Sequence, residues 1–139
     1  MAETVHATCV SWLGKAVLVT GHAGAGKSTL GLQLMALGCG LIADDRTVLE
    51  ASDGQVIASC APTLTGLIEA RGIGILTAGA APSATVHLVV DLDQTEAERL
   101  PPRRYNTVLG CNLPLIWRVE GAQFAPAILQ ILKSGWSDR

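Results

Sequence analysis

Charge of one sign is missing from this 139-residue chain: 10 Lys+Arg face 12 Asp+Glu, for a formal net charge of −2. A nucleic-acid protein that relies on bulk positive charge is thereby disfavoured. Long apolar runs are missing too. Mean hydropathy is +0.38, yet stretches such as Val86–Val90, interrupted by His87, are far too short to cross a bilayer. The start of the chain, Met1-Ala-Glu-Thr-Val-His6, lacks a basic region followed by an apolar one, so no secretory signal is visible. The four cysteines (Cys9, Cys39, Cys60, Cys111) form no CxxC pair, which removes a zinc ribbon and a thioredoxin motif. Buried reduced thiols and a cytoplasmic location are expected. Internal repeats and low-complexity tracts are absent. With 49% hydrophobic and 16% charged residues, the composition is that of a folded domain rather than a disordered chain.

The length suits one domain spanning residues 1–139 with a self-sufficient core. Val5–Ser11 and Ala16–Thr20 read as a β-hairpin turning at Leu13-Gly14-Lys15 and ending in Gly21. Lys27–Leu37 carries Leu30, Leu34 and Leu37 at helical spacing, with Gly38 as a stop. Leu41–Ala43 reads as a short buried strand. Thr47–Glu50 and Gln55–Ala58 flank a probable hairpin turn at Ser52-Asp53-Gly54. Pro62–Ala70 is expected to form one or two helical turns. Ile73–Leu76, Thr85–Asp91 and Leu115–Val119 read as strands, and Glu96–Thr107, with its prolines and charges, as a loop. Ala125–Lys133 is an amphipathic helix with Leu129 and Leu132 on one face. The fold class is α/β, and the hairpins imply a mixed sheet flanked by helices rather than a purely parallel one.

One motif carries chemistry directly. Gly21-His22-Ala23-Gly24-Ala25-Gly26-Lys27-Ser28 matches G-x-x-x-x-G-K-[ST]. The glycines let the backbone curl round a phosphate with N–H groups inward. Lys27 would reach the outer phosphates, Ser28 would ligate Mg²⁺, and the following helix adds its N-terminal dipole. A nucleotide or polyphosphate site follows. No N-K-x-D for guanine occurs. An acid at a strand end should assist the metal, and two places compete: Asp91 after Val86–Val90, and the Asp44-Asp45 pair after Leu41–Ala43. Side chains at adjacent extended positions point opposite ways, so one of the pair can face the phosphates while its neighbour makes structural bonds. The pattern alone does not choose between Asp91 and Asp44.

Three blocks in order, Gly21–Ser28, Gly40-Leu-Ile-Ala-Asp-Asp45 and Leu67-Ile-Glu-Ala-Arg-Gly-Ile-Gly-Ile75, resemble the catalytic domain of HPr kinase/phosphorylase. The third is similar to that family's L-E-x-R-G-x-G signature. The resemblance covers Val5 to Lys133 and implies a short member without the family's separate N-terminal domain. It implies a P-loop fold with a core like that of HPr kinase and phosphoenolpyruvate carboxykinase. It further implies an ATP- and Mg²⁺-dependent kinase acting on a serine of the phosphocarrier protein HPr, and a homo-oligomer, commonly a hexamer. Position by position, His6 falls on an active-site histidine, Lys27 and Ser28 take the roles given above, and Asp44 matches the catalytic aspartate that accepts the serine proton. Asp45 supports it, Glu69 matches a Mg²⁺ ligand, and Arg99 matches an arginine that stabilises the transferring phosphoryl group.

The chain also departs from the family pattern. His22 and Ala23 stand where an acid and a serine are common, and Thr29 stands where an acid often follows the loop serine. Trp117–Ala122 lacks the basic stretch ending in R-N that is associated with dephosphorylation, so forward transfer is expected to exceed the reverse phosphorylase reaction. Two other readings remain: a small-molecule P-loop kinase, and a nucleotide-sensing module without catalysis. Phosphoenolpyruvate carboxykinase itself is far larger, and this chain lacks room for its substrate lobe.

Overall fold

The computed structural model describes residues 2–138. Eleven strands and two α-helices follow one another as β1 (Ala2–Val5), β2 (Ala7–Trp12), β3 (Lys15–Thr20), α1 (Lys27–Ala36), β4 (Gly40–Ala43), β5 (Thr47–Ser52), β6 (Gln55–Ser59), β7 (Leu67–Ala70), β8 (Gly74–Thr77), β9 (Ala84–Thr95), β10 (Arg104–Val108), β11 (Cys111–Arg118) and α2 (Phe124–Ser134). Nine strands form a mixed sheet in the order β1-β5-β6-β9-β3-β2-β4, with β11 also on β9 and β10 on β11. β9 is its spine. It runs parallel to β3 on one side, and on the other it pairs antiparallel with β6 and then parallel with β11. Its run Val86, Leu88, Val89, Val90, Leu92 is buried on both faces, as expected of a central strand covered on two sides.

Each face of the sheet carries a core. On one, Val10, Val17, Val19, Leu88 and Val90 pack under α1 and α2; on the other, Leu18, Leu49, Val56, Val86 and Val89 pack together. α2 buries Ala125, Ile128, Leu129 and Leu132, the spacing of one helical face. In α1, Gly31 is buried, and a Cβ there would stand 2.9 Å from the Thr8 methyl. Glycine therefore lets the helix lie close on β2.

The expected hairpins form. β2–β3 turns at Leu13 (φ 48) and Gly14 (φ 82), and β5–β6 at Asp53 (φ 51) and Gly54 (φ 76). Paired positive φ values are those of the tight turn whose twist matches a hairpin. Two expectations need correction. Pro62–Ala70 is not helical beyond a single 3-10 turn at Pro62–Leu64. Gly66 (φ 74) ends that turn, and Leu67–Ala70 becomes β7, burying Ile68 and Ala70 alternately and pairing with β8. Glu96–Thr107 is not all loop either. Arg104–Val108 is β10, a hairpin partner of β11 through Leu109 (φ 47) and Gly110 (φ 79). The strand run read from Val5 to Ser11 breaks at His6, where β1 leaves for β5 and β2 pairs with β3 and β4.

Candidate active site

The loop Gly21–Ser28 joins the end of β3 to the start of α1 on the face covered by the helices. Three of its glycines take positive φ: Gly21 (153), Gly24 (87) and Gly26 (104), the last capping the helix in the left-handed region. At Gly21 a Cβ would press on the Ala25 Cβ at 2.9 Å and the Leu92 Cβ at 3.2 Å, so glycine is required by space as well as by angle. At Gly24 and Gly26 the same Cβ would meet nothing within 4 Å, so both have open space beside them. The Lys27 Nζ donates to the carbonyls of Gly21 (2.8 Å) and His22 (3.1 Å), so the ammonium lies folded across the loop.

Asp44 follows β4 and reaches the loop from beside it. Its Oδ1 accepts from the Ser28 hydroxyl (2.6 Å) and the Thr8 hydroxyl (2.8 Å), and its Oδ2 accepts from the Glu69 backbone N–H (2.9 Å). One carboxylate thereby ties α1, β2 and β7 together. The hydrogen of the Ser28 hydroxyl is committed to Asp44, and the oxygen's lone pairs remain for a cation. Asp45 has a different environment. Its φ of 66 turns it out of the strand direction, its carbonyl accepts from the Ala7 N–H (3.1 Å), and its side chain is exposed.

A cleft of about 210 Å³ is lined by Ala23, Gly24, Gly26, Lys27, Ser28, Thr29, Asp45, Glu69 and Arg71. The sequence-expected residues Lys27, Ser28 and Glu69 meet there, and Asp44 stands behind Ser28. His6 and Arg99 are not among the lining residues. His6 is exposed at the β1–β2 break, joined to the site through the backbone bond of its neighbour Ala7 with Asp45. Arg99 is exposed in the segment between β9 and β10. Asp91, the rival strand-end acid, lies within β9 opposite Thr20, and its Oδ1 accepts the Asp93 N–H at 2.9 Å.

Three contributors escape sequence reasoning. Asp93 accepts the His22 backbone N–H (3.0 Å) and also bonds the His22 Nδ1 through the same oxygen. Those hydrogen bonds, first the backbone one, and the positive charge of Lys27 hold the Asp93 carboxyl below the usual carboxylate range. Arg118 donates Nε–H to the Leu92 carbonyl (3.2 Å) and an NH2 hydrogen to the Ala25 carbonyl, pinning the outer turn of the loop. Thr8 completes the set, and Arg71, from the signature block, also lines the cleft. The only available signal for Asp93 is its place two residues beyond Asp91 on the same strand. Thr8 and Arg118 carry none, because their partners are 36 and 93 residues away.

Residues 1–116 match the family model for the HPr Serine kinase C-terminal domain. The chain belongs to this family. It is 37% identical over 110 residues to the HPr kinase/phosphorylase of Bordetella petrii, covering 70% of this chain and 36% of that protein. It is 35% identical over 125 residues to that of Cupriavidus necator, covering 81% and 39%. The chain thus spans a little over a third of the length of these curated relatives. Among solved structures it resembles the Hpr(Ser) kinase/phosphatase from Coxiella burnetii, with a TM-score of 0.76 and 29% identity over 94% of this chain and 93% of that one. The mixed α/β architecture expected from the sequence is thus the architecture of a family relative.

Proposed function

We propose that this chain is the catalytic domain of a kinase that moves the terminal phosphoryl group of ATP, with Mg²⁺, to a serine of HPr. The observation that carries the reading is the meeting of three sequence blocks in one cleft: Lys27 and Ser28 from the glycine loop, the Asp44-Asp45 pair from the end of β4, and Glu69 from β7. The donor set fits a hard cation. The Ser28 oxygen and the Glu69 carboxylate are oxygen ligands, and Mg²⁺ needs few protein ligands because phosphates and water complete its shell. When bound, the ion neutralises charge on the phosphates. Lys27 exchanges its two loop carbonyls for phosphate oxygens, and the open space beside Gly24 and Gly26 leaves room for the phosphates to approach the loop backbone.

The hydrogen bonds support a division of roles between the two aspartates. Asp44 already takes three donors, so it positions Ser28. Asp45 is the aspartate that lines the cleft, and it accepts the serine proton in forward transfer and returns it in reverse. This shifts to Asp45 the proton-accepting role that the resemblance gives Asp44. His6 and Arg99 act in this reading only from the rim. Assembly of several copies, implied by the same resemblance, is checked by sedimentation. The deciding experiment incubates the purified protein with Mg²⁺, γ-labelled ATP and HPr. Label is expected on an HPr serine and lost with Lys27→Ala. Tight ATP binding with no label on HPr in the presence of Mg²⁺ would instead favour nucleotide sensing.

A further inference from the structure

The ladder between β9 and β11 breaks beside the glycine loop. Leu115, Ile116 and Trp117 pair in step with Val89, Val90 and Asp91, but the next residue of β11, Arg118, pairs with Thr95. Leu92, Asp93 and Gln94 therefore bulge out of that ladder. Bulges recur beside active sites, where they re-aim a side chain. Two side chains from this break reach the loop. Asp93 accepts the His22 N–H near the start of the loop. Arg118 donates to the Ala25 carbonyl near its end, and its Nε–H donates to the carbonyl of Leu92 in the bulge. Arg118 is itself held in place. Its own carbonyl accepts the Glu96 N–H (2.9 Å), and the Glu96 carboxylate bonds Arg104, which stacks on the neighbouring Trp117.

We propose that Arg118 is a positioning residue for phosphate binding: by holding the Ala25 carbonyl on the sheet side, it turns the Gly26 N–H toward the cleft. The inference rests on the kinase reading for the glycine loop as the phosphate site, and it adds a residue that lies beyond the family match over residues 1–116. No peptide bond among the described residues is cis, and in a planar trans peptide the C=O and N–H point in opposite directions. Gly26 lines the cleft, whereas Arg118 and Leu92 do not. A carbonyl drawn toward Arg118 thus leaves the N–H of the same peptide facing the phosphates. The preceding N–H, that of Ala25, is already given to the His22 carbonyl (3.0 Å). The Gly26 N–H therefore begins the run of donors that continues into the first turn of α1, where N–H groups have no partner within the helix. Successive inward N–H groups of this kind make an anion nest. Gly26 has φ 104, and a glycine on one side lets the peptide turn over easily. Turned over, it would aim a carbonyl at the phosphates. The planar fork of a guanidinium suits two carbonyls at once, whereas an ammonium is a point charge.

The test compares isotopically labelled parent, Arg118→Lys and Arg118→Met, the last keeping an apolar stem without the fork. Titration calorimetry measures affinity for Mg-pyrophosphate and for a non-hydrolysable Mg-ATP analogue, and the Gly26 amide resonance is followed through each titration. In the parent the Gly26 amide proton should shift downfield with either probe. Both variants should keep the parent's circular dichroism spectrum. Each should lose about tenfold or more in affinity, the scale of one hydrogen bond to a charged group. The loss should be similar for the two probes, because the phosphates are what they share, and the Gly26 amide should barely respond. Parent affinity in either folded variant overturns the inference. A weakened variant whose Gly26 amide responds as in the parent overturns it in favour of direct contact between Arg118 and phosphate. A loss confined to the ATP analogue overturns it in favour of a nucleoside contact. Loss of the folded spectrum in both variants overturns it in favour of a purely structural arginine. If the results are as expected but the parent transfers no label to HPr, the inference stands and the kinase reading falls. A parent that binds neither probe removes both.

Discussion

Asp44 and Asp45 are chemically identical and adjacent, and their surroundings separate them. Asp44 already accepts from Ser28, Thr8 and the Glu69 N–H, which leaves about one of its four acceptor sites for a substrate proton, whereas the exposed Asp45 side chain has no side-chain hydrogen bond among the described residues. Asp45→Asn is accordingly expected to lower the rate of phosphoryl transfer to HPr by about 100-fold or more, the range for loss of a general base, with Mg-ATP affinity nearly intact. Asp44→Asn should instead raise the Mg²⁺ concentration needed for half-maximal rate by about 10- to 100-fold, as when the partner of a metal ligand is removed. Steady-state rates across a Mg²⁺ titration distinguish the two, and the opposite pattern would return the proton to Asp44. Asp93 acts on the loop rather than on the phosphates. Its pKa is lowered, so the anchoring of His22 is fully present above the usual carboxylate range and is lost only as pH falls through the lowered value. ATP affinity of the parent should therefore stay flat, as far as Asp93 governs it, from neutral pH to mild acid. Asp93→Asn should weaken ATP binding about three- to tenfold throughout that range, the scale of one charge-assisted bond weakened by exposure. Unchanged affinity in fluorescence titrations would leave Asp93 with no part in holding the loop.

At the scale of elements, the segment after β11 bears on reaction direction. Dephosphorylation by phosphate needs an anionic acceptor placed beside an anionic phosphoserine, and hence extra positive charge. The stretch Trp117–Ala122 offers only Arg118, and that guanidinium is already bound to the carbonyls of Leu92 and Ala25. Nearby Arg104 is likewise occupied, bonding Glu96 at 3.1 and 3.2 Å and stacking on Trp117 at 3.5 Å. Forward transfer should therefore run faster than phosphate-driven release of pyrophosphate from phosphoserine-HPr under matched conditions. Equal initial rates would show that another group brings the missing charge. The sequence shows some of these elements better than others. α1, α2 and the hairpins at Leu13-Gly14 and Asp53-Gly54 are legible because period and turn chemistry agree. β7 is not, because Pro62 signals a helical start and the alternation of buried Ile68 and Ala70 is only four residues long. β10 is hidden in a stretch whose prolines and charges belong to the loop before it, although its Leu109-Gly110 turn is the same residue pair as the legible Leu13-Gly14 turn. The glycine loop is legible in full; its anchors on β9 and β11 are not, since only the folded sheet brings them near.

Taken as a whole, the core that holds the molecule together reaches the phosphate site only at its edge, through Ala25 of the glycine loop and Ile68 of β7. The helix-side core joins α2 to α1 and the sheet through Ile128, Leu30 and Leu34, whereas the cleft lies at the N-terminal end of α1 and on β7. Ile128 is fully buried, and Ile128→Ala should cost about 2–5 kcal/mol through lost burial and the cavity left behind. For a chain of this size that lowers Tm by roughly 10 °C. Lys27 contributes differently. Among the described residues its ammonium bonds two loop carbonyls, so Lys27→Ala should leave Tm within a few degrees of the parent in the absence of ligand. Mg-ATP at about 100 times its dissociation constant adds about 2.7 kcal/mol to a protein that binds it only when folded, a rise of several degrees. Thermal denaturation of three proteins, each with and without Mg-ATP, separates the two contributions. The parent should gain the full increment, Ile128→Ala should gain nearly the same increment from a lower baseline, and Lys27→Ala should lose most of it from an unchanged one. If Ile128→Ala loses its increment at a temperature where its spectrum is still that of the folded protein, core and cleft are one cooperative unit. If Lys27→Ala keeps the full increment, Mg-ATP is held elsewhere and the glycine loop is not the phosphate site.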